Sequence, residues 1–373
     1  MEEQPPEAGE PRSSGKALLS VHPEYRGRTS HFSRVVIRNA LLGIITLGIY
    51  RFWGKTRLRR YLWSHIGFHG DRFEYTGLAK ELLRGFLVAL AIFVPFVILF
   101  YVAVASVESA QSEAVLNTFY FVALYLLMQI AVYRARRYRL SRTQWRSIRG
   151  GQTGSAVKYA LLALGHLLLT LLTLGLTYPV MRTRLQQYRL ENIWFGDRPF
   201  GFDARARSLM PTWLVCWLLL LPTLGLSYFW YRAAEFRVFS AHTSYEDLRF
   251  ESNITGGSLL LIYFYYLAAV VGVLLILAAV LGSLAPIVAP NSGPSPGPDV
   301  MEAVTPMTVV ASLLAFMVLG ILRQIIVVQR FVRVFCERLT VSGEADFEAI
   351  AQSQRPLPSR GEGLADILDT GGI

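Results

Sequence analysis

The feature that most constrains this chain is a stretch that returns. Ile45 to Gly77 reads ITLGIYRFWGKTRLRRYLWSHIGFHGDRFEYTG, and Leu172 to Phe202 reads LTLGLTYPVMRTRLQQYRLENIWFGDRPFGF. Superposed, Thr46-Leu47-Gly48 falls on Thr173-Leu174-Gly175, Thr56-Arg57-Leu58 on Thr183-Arg184-Leu185, Tyr61 on Tyr188, Ile66 on Ile193 and Phe68 on Phe195. A looser third copy starts at Thr223-Leu224-Gly225 and runs through Tyr228, Arg232, Arg237 and Tyr245 to Phe250. Each copy keeps one order: an apolar run ending in Thr-Leu-Gly, a basic aromatic-rich segment, then an alternating stretch broken by a turn. Such repetition implies duplication of one structural unit.

The solvent for these units follows from composition. Of 373 residues, 53% are hydrophobic and only 17% charged, against about a quarter charged in ordinary soluble proteins; the mean hydropathy is +0.38. A membrane is the simplest environment for such a chain. The net charge of +11 comes from Arg and Lys gathered between apolar runs, which suits the positive-inside rule and anionic headgroups. Because these cations are tethered beside spans, nucleic acid is not the expected partner. Cys216 and Cys336 lie in an apolar and a basic helical stretch, so no disulfide framework is expected. The opening MEEQPPEAGEPRSSG lacks the apolar core of a secretory signal.

The expected fold is mainly α: a polytopic α-helical membrane protein with internal repeats of membrane segment, basic interfacial helix and short strand pair. Residues 1–17 are expected to be a disordered tail, 18–342 the repeat-built membrane domain, and 343–373 an acidic mobile C-terminal tail. Leu82 to Ala105, Val115 to Tyr133, Ser258 to Ile287 and Val304 to Val328 each match the roughly 20 residues a bilayer core requires. Both hairpins made from them have basic ends on one side. The three Thr-Leu-Gly segments are basic at both ends, with Arg34 and Arg38 against Arg51, Lys158 against Arg182, and Arg205 and Arg207 against Arg232. Two topologies therefore compete: seven plain spans, or four spans with three re-entrant hairpins turning at Thr46 and Gly48, Thr173 and Gly175, Thr223 and Gly225. After each basic segment, alternation around Gly70-Asp71 and Gly196-Asp197 predicts two-residue strand hairpins, with Pro199 confining its strand to an edge. The small strand pairs are expected to meet as a cytoplasmic platform.

NALLGIITLGIYRFW, then KTRLRRYLW, then GDRFEYTG resembles the YjgN-like family of bacterial inner-membrane proteins, whose family label is a domain of unknown function. The resemblance is strong over residues 39–82 and extends through the repeats over most of 18–345. It implies a multi-pass protein of the bacterial inner (plasma) membrane, and it brings no catalytic residues with it.

Candidate chemistry is sparse. Gly54-Lys55-Thr56 resembles the end of a phosphate-binding loop, but Gly48 is one residue too far away. His65 and His69 with Asp71 could share a metal only if one helix carried both histidines. His166, in LLALGHLLLT, is a possible intramembrane polar site, yet the apolar runs offer it no carboxylate for a proton relay. Asn117, Gln129 and Gln324 could line a path. The cations Lys55, Arg57, Arg59, Arg60, Arg134, Arg136, Arg137, Arg182 and Arg184 are candidates for an anion or headgroup site, against the plainer reading that they only set topology. The expectation is no enzyme, no cofactor and no metal. The expected partners are membrane lipids through anionic headgroups and a small anionic or amphiphilic ligand, bound or moved; the alternatives are a scaffold without substrate and an enzyme acting on lipid headgroups.

Overall fold

The computed structural model describes residues 17–288, 298–356 and 358. The tail expected over 1–17 falls outside these, except that Ala17 opens the first strand. In chain order the elements are β1 (Ala17–Val21), β2 (Glu24–Tyr25), α1 (Thr29–Ile45), α2 (Arg51–Ser64), β3 (Ile66–Phe68), β4 (Asp71–Tyr75), α3 (Ala79–Ala105), α4 (Ala110–Ser141), β5 (Thr143–Trp145) and β6 (Ile148–Gln152). They continue as α5 (Ala156–Leu172), α6 (Tyr178–Glu191), β7 (Ile193–Phe195), β8 (Arg198–Pro199), β9 (Gly201–Phe202), α7 (Met210–Leu218), α8 (Ser227–Ala241), β10 (Thr243–Tyr245) and β11 (Leu248–Ser252). The last are α9 (Gly256–Val288), α10 (Pro298–Arg323), a π-helical turn (Gln324–Val328), α11 (Gln329–Arg338) and β12 (Leu339–Ala345).

One rule generates the whole arrangement. A strand feeds a helical hairpin, the hairpin returns to an antiparallel neighbour of that strand, and a tight turn starts the next unit. The strands flanking the five helical hairpins pair as β2 with β3, β4 with β5, β6 with β7, β9 with β10 and β11 with β12. Tight turns pair β3 with β4, β5 with β6, β7 with β8 and β10 with β11. The first strand then closes on the last, from Ala17 opposite Ala345 to Val21 opposite Val341. Two hydrogen-bonded sheets result, of five and seven strands. The chain runs from one to the other at His22-Pro23 and at Phe200, so together they form a ring. Pro199 sits at the second seam: it has no N–H to give a further neighbour, and the strand changes sheets at the next residue.

This topology decides how the hairpins meet the membrane. Neighbouring strands lie about 5 Å apart, so both ends of a hairpin they flank must stay on one side. Four helical stretches are long and apolar enough to cross a bilayer: Ala79–Ala105, Ala110–Ser141, Gly256–Ser283 and Pro306–Arg338. They form the second and fifth hairpins. α1 and α5 have only 17 residues and α7 only 9; 17 residues rise about 25 Å, short of a hydrocarbon core of about 30 Å. These three reverse at Thr-Leu-Gly and return to the strands they left, which is the geometry of a re-entrant hairpin and not of a plain span.

Two local expectations are corrected. The turn between β3 and β4 is His69-Gly70, with φ of +50° and +85°, and Asp71 already pairs with Phe68; the turn lies one residue earlier than Gly70-Asp71. Phe68 and Phe73 both face the inside of the ring, and side-chain alternation fixes that register over turn preference. Residues 343–345, assigned to the tail by sequence, complete β12. Beyond them Ile350 and Ser353 are buried, and residues 346–356 lie as a strap against the turns of the ring.

Candidate functional site

The Thr-Leu-Gly turns have one geometry in three places. Leu47, Leu174 and Leu224 have φ of +49° to +50°, and Gly48, Gly175 and Gly225 of +85° to +90°. The glycine N–H reaches back to the carbonyl five residues earlier at 2.7 Å each time, on Gly43, Thr170 and Leu220. Each threonine hydroxyl donates to the carbonyl four residues earlier, Thr46 to Leu42 at 2.8 Å, Thr173 to Leu169 at 2.8 Å and Thr223 to Leu219 at 2.6 Å. It also accepts from the amide four residues later, from Tyr50 at 2.9 Å, Thr177 at 3.3 Å and Ser227 at 3.1 Å. The orphan groups at a helix end are thus satisfied internally, as a reversal among lipid tails demands. The leucine is the most exposed apex residue at two of the turns, 93% exposed at both Leu47 and Leu224. These motif residues build the hairpin and offer a ligand nothing.

The hairpin they build creates a groove. α1 and α2 pack closely because residue 54 is glycine; a Cβ there would meet the Asn39 side chain at 3.2 Å. Asn39 Nδ2 donates to the Gly54 carbonyl at 3.1 Å, while its Oδ1 is buried with no hydrogen-bond partner. A cavity of about 370 Å³ opens beside this contact, between α1, α2 and α10. Its apolar wall comes from Val36, Ala40, Phe52, Leu58, Met317 and Ile321, and its polar lining from Asn39, Arg51, Lys55 and Gln324. Arg51 follows the apex, its guanidinium 4.8 Å from the Phe52 ring centre and 4.6 Å from that of Phe86. Gln324 opens the π-helical turn, a feature that recurs at functional sites in helices. Two cations, two amides and a continuous apolar wall suit an anionic head with a hydrocarbon body.

The remaining predicted cations disperse. Arg57 and Arg60 meet Lys80 at a separate recess of about 400 Å³ between α2 and α3; Arg60 donates to the Gly77 carbonyl at 2.9 Å. Arg59 is buried and bonds the Tyr75 hydroxyl at 3.2 Å. Arg134 is exposed, Arg136 has a buried Nε without a hydrogen-bond partner, and Arg137 binds the Thr153 carbonyl at 3.1 Å and the Gly154 carbonyl. Arg182 forms a two-bond ion pair with buried Glu235 of α8, at 2.6 and 3.3 Å, which Arg232 shares. Arg184 is exposed and bonds Gln187 at 3.2 Å. Arg59, Arg137 and Arg182 thus tie elements of the fold together. Half-buried His166 accepts from the Thr170 hydroxyl through its carbonyl at 2.7 Å. His65 caps α2 and His69 lies in the turn beyond β3, so different elements carry them. Among the described residues no three His, Cys, Asp or Glu side chains form a metal-binding group.

The model of the family described as "Bacterial protein of unknown function (DUF898)" matches residues 21–228 and again 216–367. The chain belongs to the DUF898 family. A relative is the Inner membrane protein YjgN of Escherichia coli (strain K12), 28% identical over 116 residues, which are 31% of this chain and 27% of that protein. The match therefore spans about a quarter of the relative's length. No solved structure matches the chain. Family membership, this relative and the four long apolar helices make this DUF898 protein a multi-pass protein of the inner membrane. The two family matches overlap over residues 216–228, within the fourth helical hairpin.

Sequence reasoning named Lys55 and Gln324 but missed Arg51 and Asn39 as site residues. The only local signal was polarity inside an apolar run, at Asn39. That it meets Gly54 and faces Gln324 depends on three helices distant in sequence.

Proposed function

We propose that this membrane protein binds an anionic amphiphile of lipid type in the groove between α1, α2 and α10. The observation that carries this reading is the convergence of Arg51, Lys55, Asn39 and Gln324 on one apolar-walled cavity of about 370 Å³. That volume falls within the roughly 300–1,000 Å³ of small-molecule sites. A phosphate or carboxylate would sit on the two cations, a headgroup hydroxyl would meet the Gln324 amide, and the tail would lie along Val36, Leu58 and Ile321. The reading is one of binding, without a chemical step. The positive-inside rule gives the strand ring to the cytoplasmic side.

The test is native mass spectrometry of the purified protein titrated with short-chain phosphatidylglycerol and phosphatidylcholine. The expected result is saturable preference for phosphatidylglycerol, weakened about tenfold or more in an Arg51→Ala/Lys55→Ala double variant, since one charge-assisted contact is worth roughly 1.5–3 kcal/mol. If the variant keeps its helix content and retains phosphatidylglycerol as the parent does, the groove is not the site. The cations would then serve anchorage, as a scaffold requires.

A further inference from the structure

The ring of strands encloses a second cavity, independent of the groove. Its volume is about 350 Å³, and Trp63, Phe68, Phe73, Trp145, Phe250 and Phe335 form much of its wall. The polar atoms of that wall are already engaged: Trp63 Nε1 donates to Thr143 Oγ1 at 2.9 Å, Trp145 Nε1 to the Phe68 carbonyl at 3.2 Å and the Tyr245 hydroxyl to the Phe195 carbonyl at 3.0 Å. Water needs two to four polar partners to occupy such a space, and a dry apolar cavity takes an apolar guest instead. A cavity of about 150 Å³ accepts benzene, so in proportion this one holds roughly a dozen carbon atoms.

The mouth lies at the strand turns and is filled by the strap. Phe347 inserts there, its ring centre 5.0 Å from Trp145, 5.5 Å from His69 and 6.1 Å from Phe68. Arg149 secures the strap by donating to the Ser353 carbonyl at 2.8 Å and the Arg355 carbonyl at 2.6 Å, and its amide donates to Gln352 Oε1 at 3.0 Å. Arg198 reaches the Ala349 carbonyl at 3.2 Å and also pairs with Glu246. At Gly196 the strap lies so close that a Cβ would meet the Ala351 carbonyl oxygen at 2.7 Å. Arg146 pairs with Asp71 at 2.5 Å. Arg149 stands opposite Gln144, on the face of the sheet away from Trp145 and the chamber, so it fixes the strap from outside.

We propose that the ring is a binding chamber for a single hydrocarbon chain of about a dozen carbons, which displaces Phe347 from the mouth and leaves its polar end at the strand turns. The residues differ from those of the groove, so either proposal can fail alone.

Cys336 lines this chamber and is 1% exposed, which makes it a reporter. In a Cys216→Ser background it is the sole thiol of the chain. The full chain is placed in neutral phosphatidylcholine nanodiscs and its labelling by N-ethylmaleimide followed. Phe347→Ala should raise the rate about tenfold or more, Phe347→Leu should label slowly like the parent, and dodecanoate should restore protection to Phe347→Ala saturably. In the unsubstituted protein, dodecanoate should speed chymotryptic cleavage after Phe347 by releasing the strap. If phosphatidylglycerol nanodiscs alone protect Phe347→Ala, the chain comes from a membrane lipid and the chamber stands. If Phe347→Ala labels at the parental rate, or dodecanoate protects it without saturation, the chamber is packing and the proposal falls.

Discussion

At the scale of single residues, the three Thr-Leu-Gly copies show how little sequence a membrane reversal needs. Leu47, Leu174 and Leu224 hold left-handed backbone, a conformation that costs a residue with a Cβ about 1–2 kcal/mol. Glycine at the next position avoids a second such cost. Around Gly48 and Gly225 there is nothing within 4 Å of a would-be Cβ, so conformation alone requires glycine there. Gly48→Ala or Gly225→Ala should therefore destabilise by about 1–2 kcal/mol. Gly165→Ala, in equally open space but within the right-handed helix α5, should be neutral or stabilise by up to about 1 kcal/mol. Thermal unfolding in detergent measures all three, and equal effects would show that the turn conformation is not what selects glycine. The repeat of this motif was legible because its chemistry is local. Arg182 was legible only as a cation, since its partner Glu235 is 53 residues away.

At the scale of elements, charge at both ends of each Thr-Leu-Gly segment posed two topologies, and strand pairing separates them. The strands themselves, three to five residues long where they pair around the first hairpin turn, were legible as alternation, but too short to fix a register. The turn at His69-Gly70 shows the limit: composition favoured Gly-Asp, while the inward-facing Phe68 and Phe73 set the pairing. Re-entry has a direct consequence. In a background without Cys216 and Cys336, Arg34→Cys near the start of α1 and Arg60→Cys near the end of α2 should both resist a membrane-impermeant maleimide in intact cells. Both should label once the cells are permeabilised. Ser109→Cys, between the long helices α3 and α4, should label without permeabilisation. Should Arg34→Cys and Arg60→Cys label from opposite sides, the first hairpin crosses and the single-sided ring is wrong.

At the scale of the whole molecule, the sequence shows three related copies where the structure has five units. The second and fifth units lack Thr-Leu-Gly because their helices continue to full span length, so apex chemistry, the one feature a short motif can carry, is absent from them. What they share with the others is position: every unit contributes strands to one ring. Closure of that ring joins the two ends of the chain and leaves no local trace, since β1 finds β12 more than 300 residues away. His22 reinforces the seam, its Nδ1 lying 2.9 Å from the Leu339 carbonyl oxygen. Without that pairing the five-stranded sheet would end at β12 and β1 would be unpaired, adding exposed strand edge, a hazard in any sheet. Ser20 stands opposite Ser342 in that pair, and facing residues of antiparallel strands have Cα atoms about 4.5–5.5 Å apart, within disulfide range. With the native cysteines replaced, Ser20→Cys with Ser342→Cys should oxidise readily in isolated membranes and hold fragments together after proteolysis between them. Ser20→Cys with Thr340→Cys, two residues out of register and facing the same side, should form far less cross-link. Equal cross-linking by both pairs would mean a slipping or open seam, and the chamber would then lack the continuous wall that encloses an apolar chain.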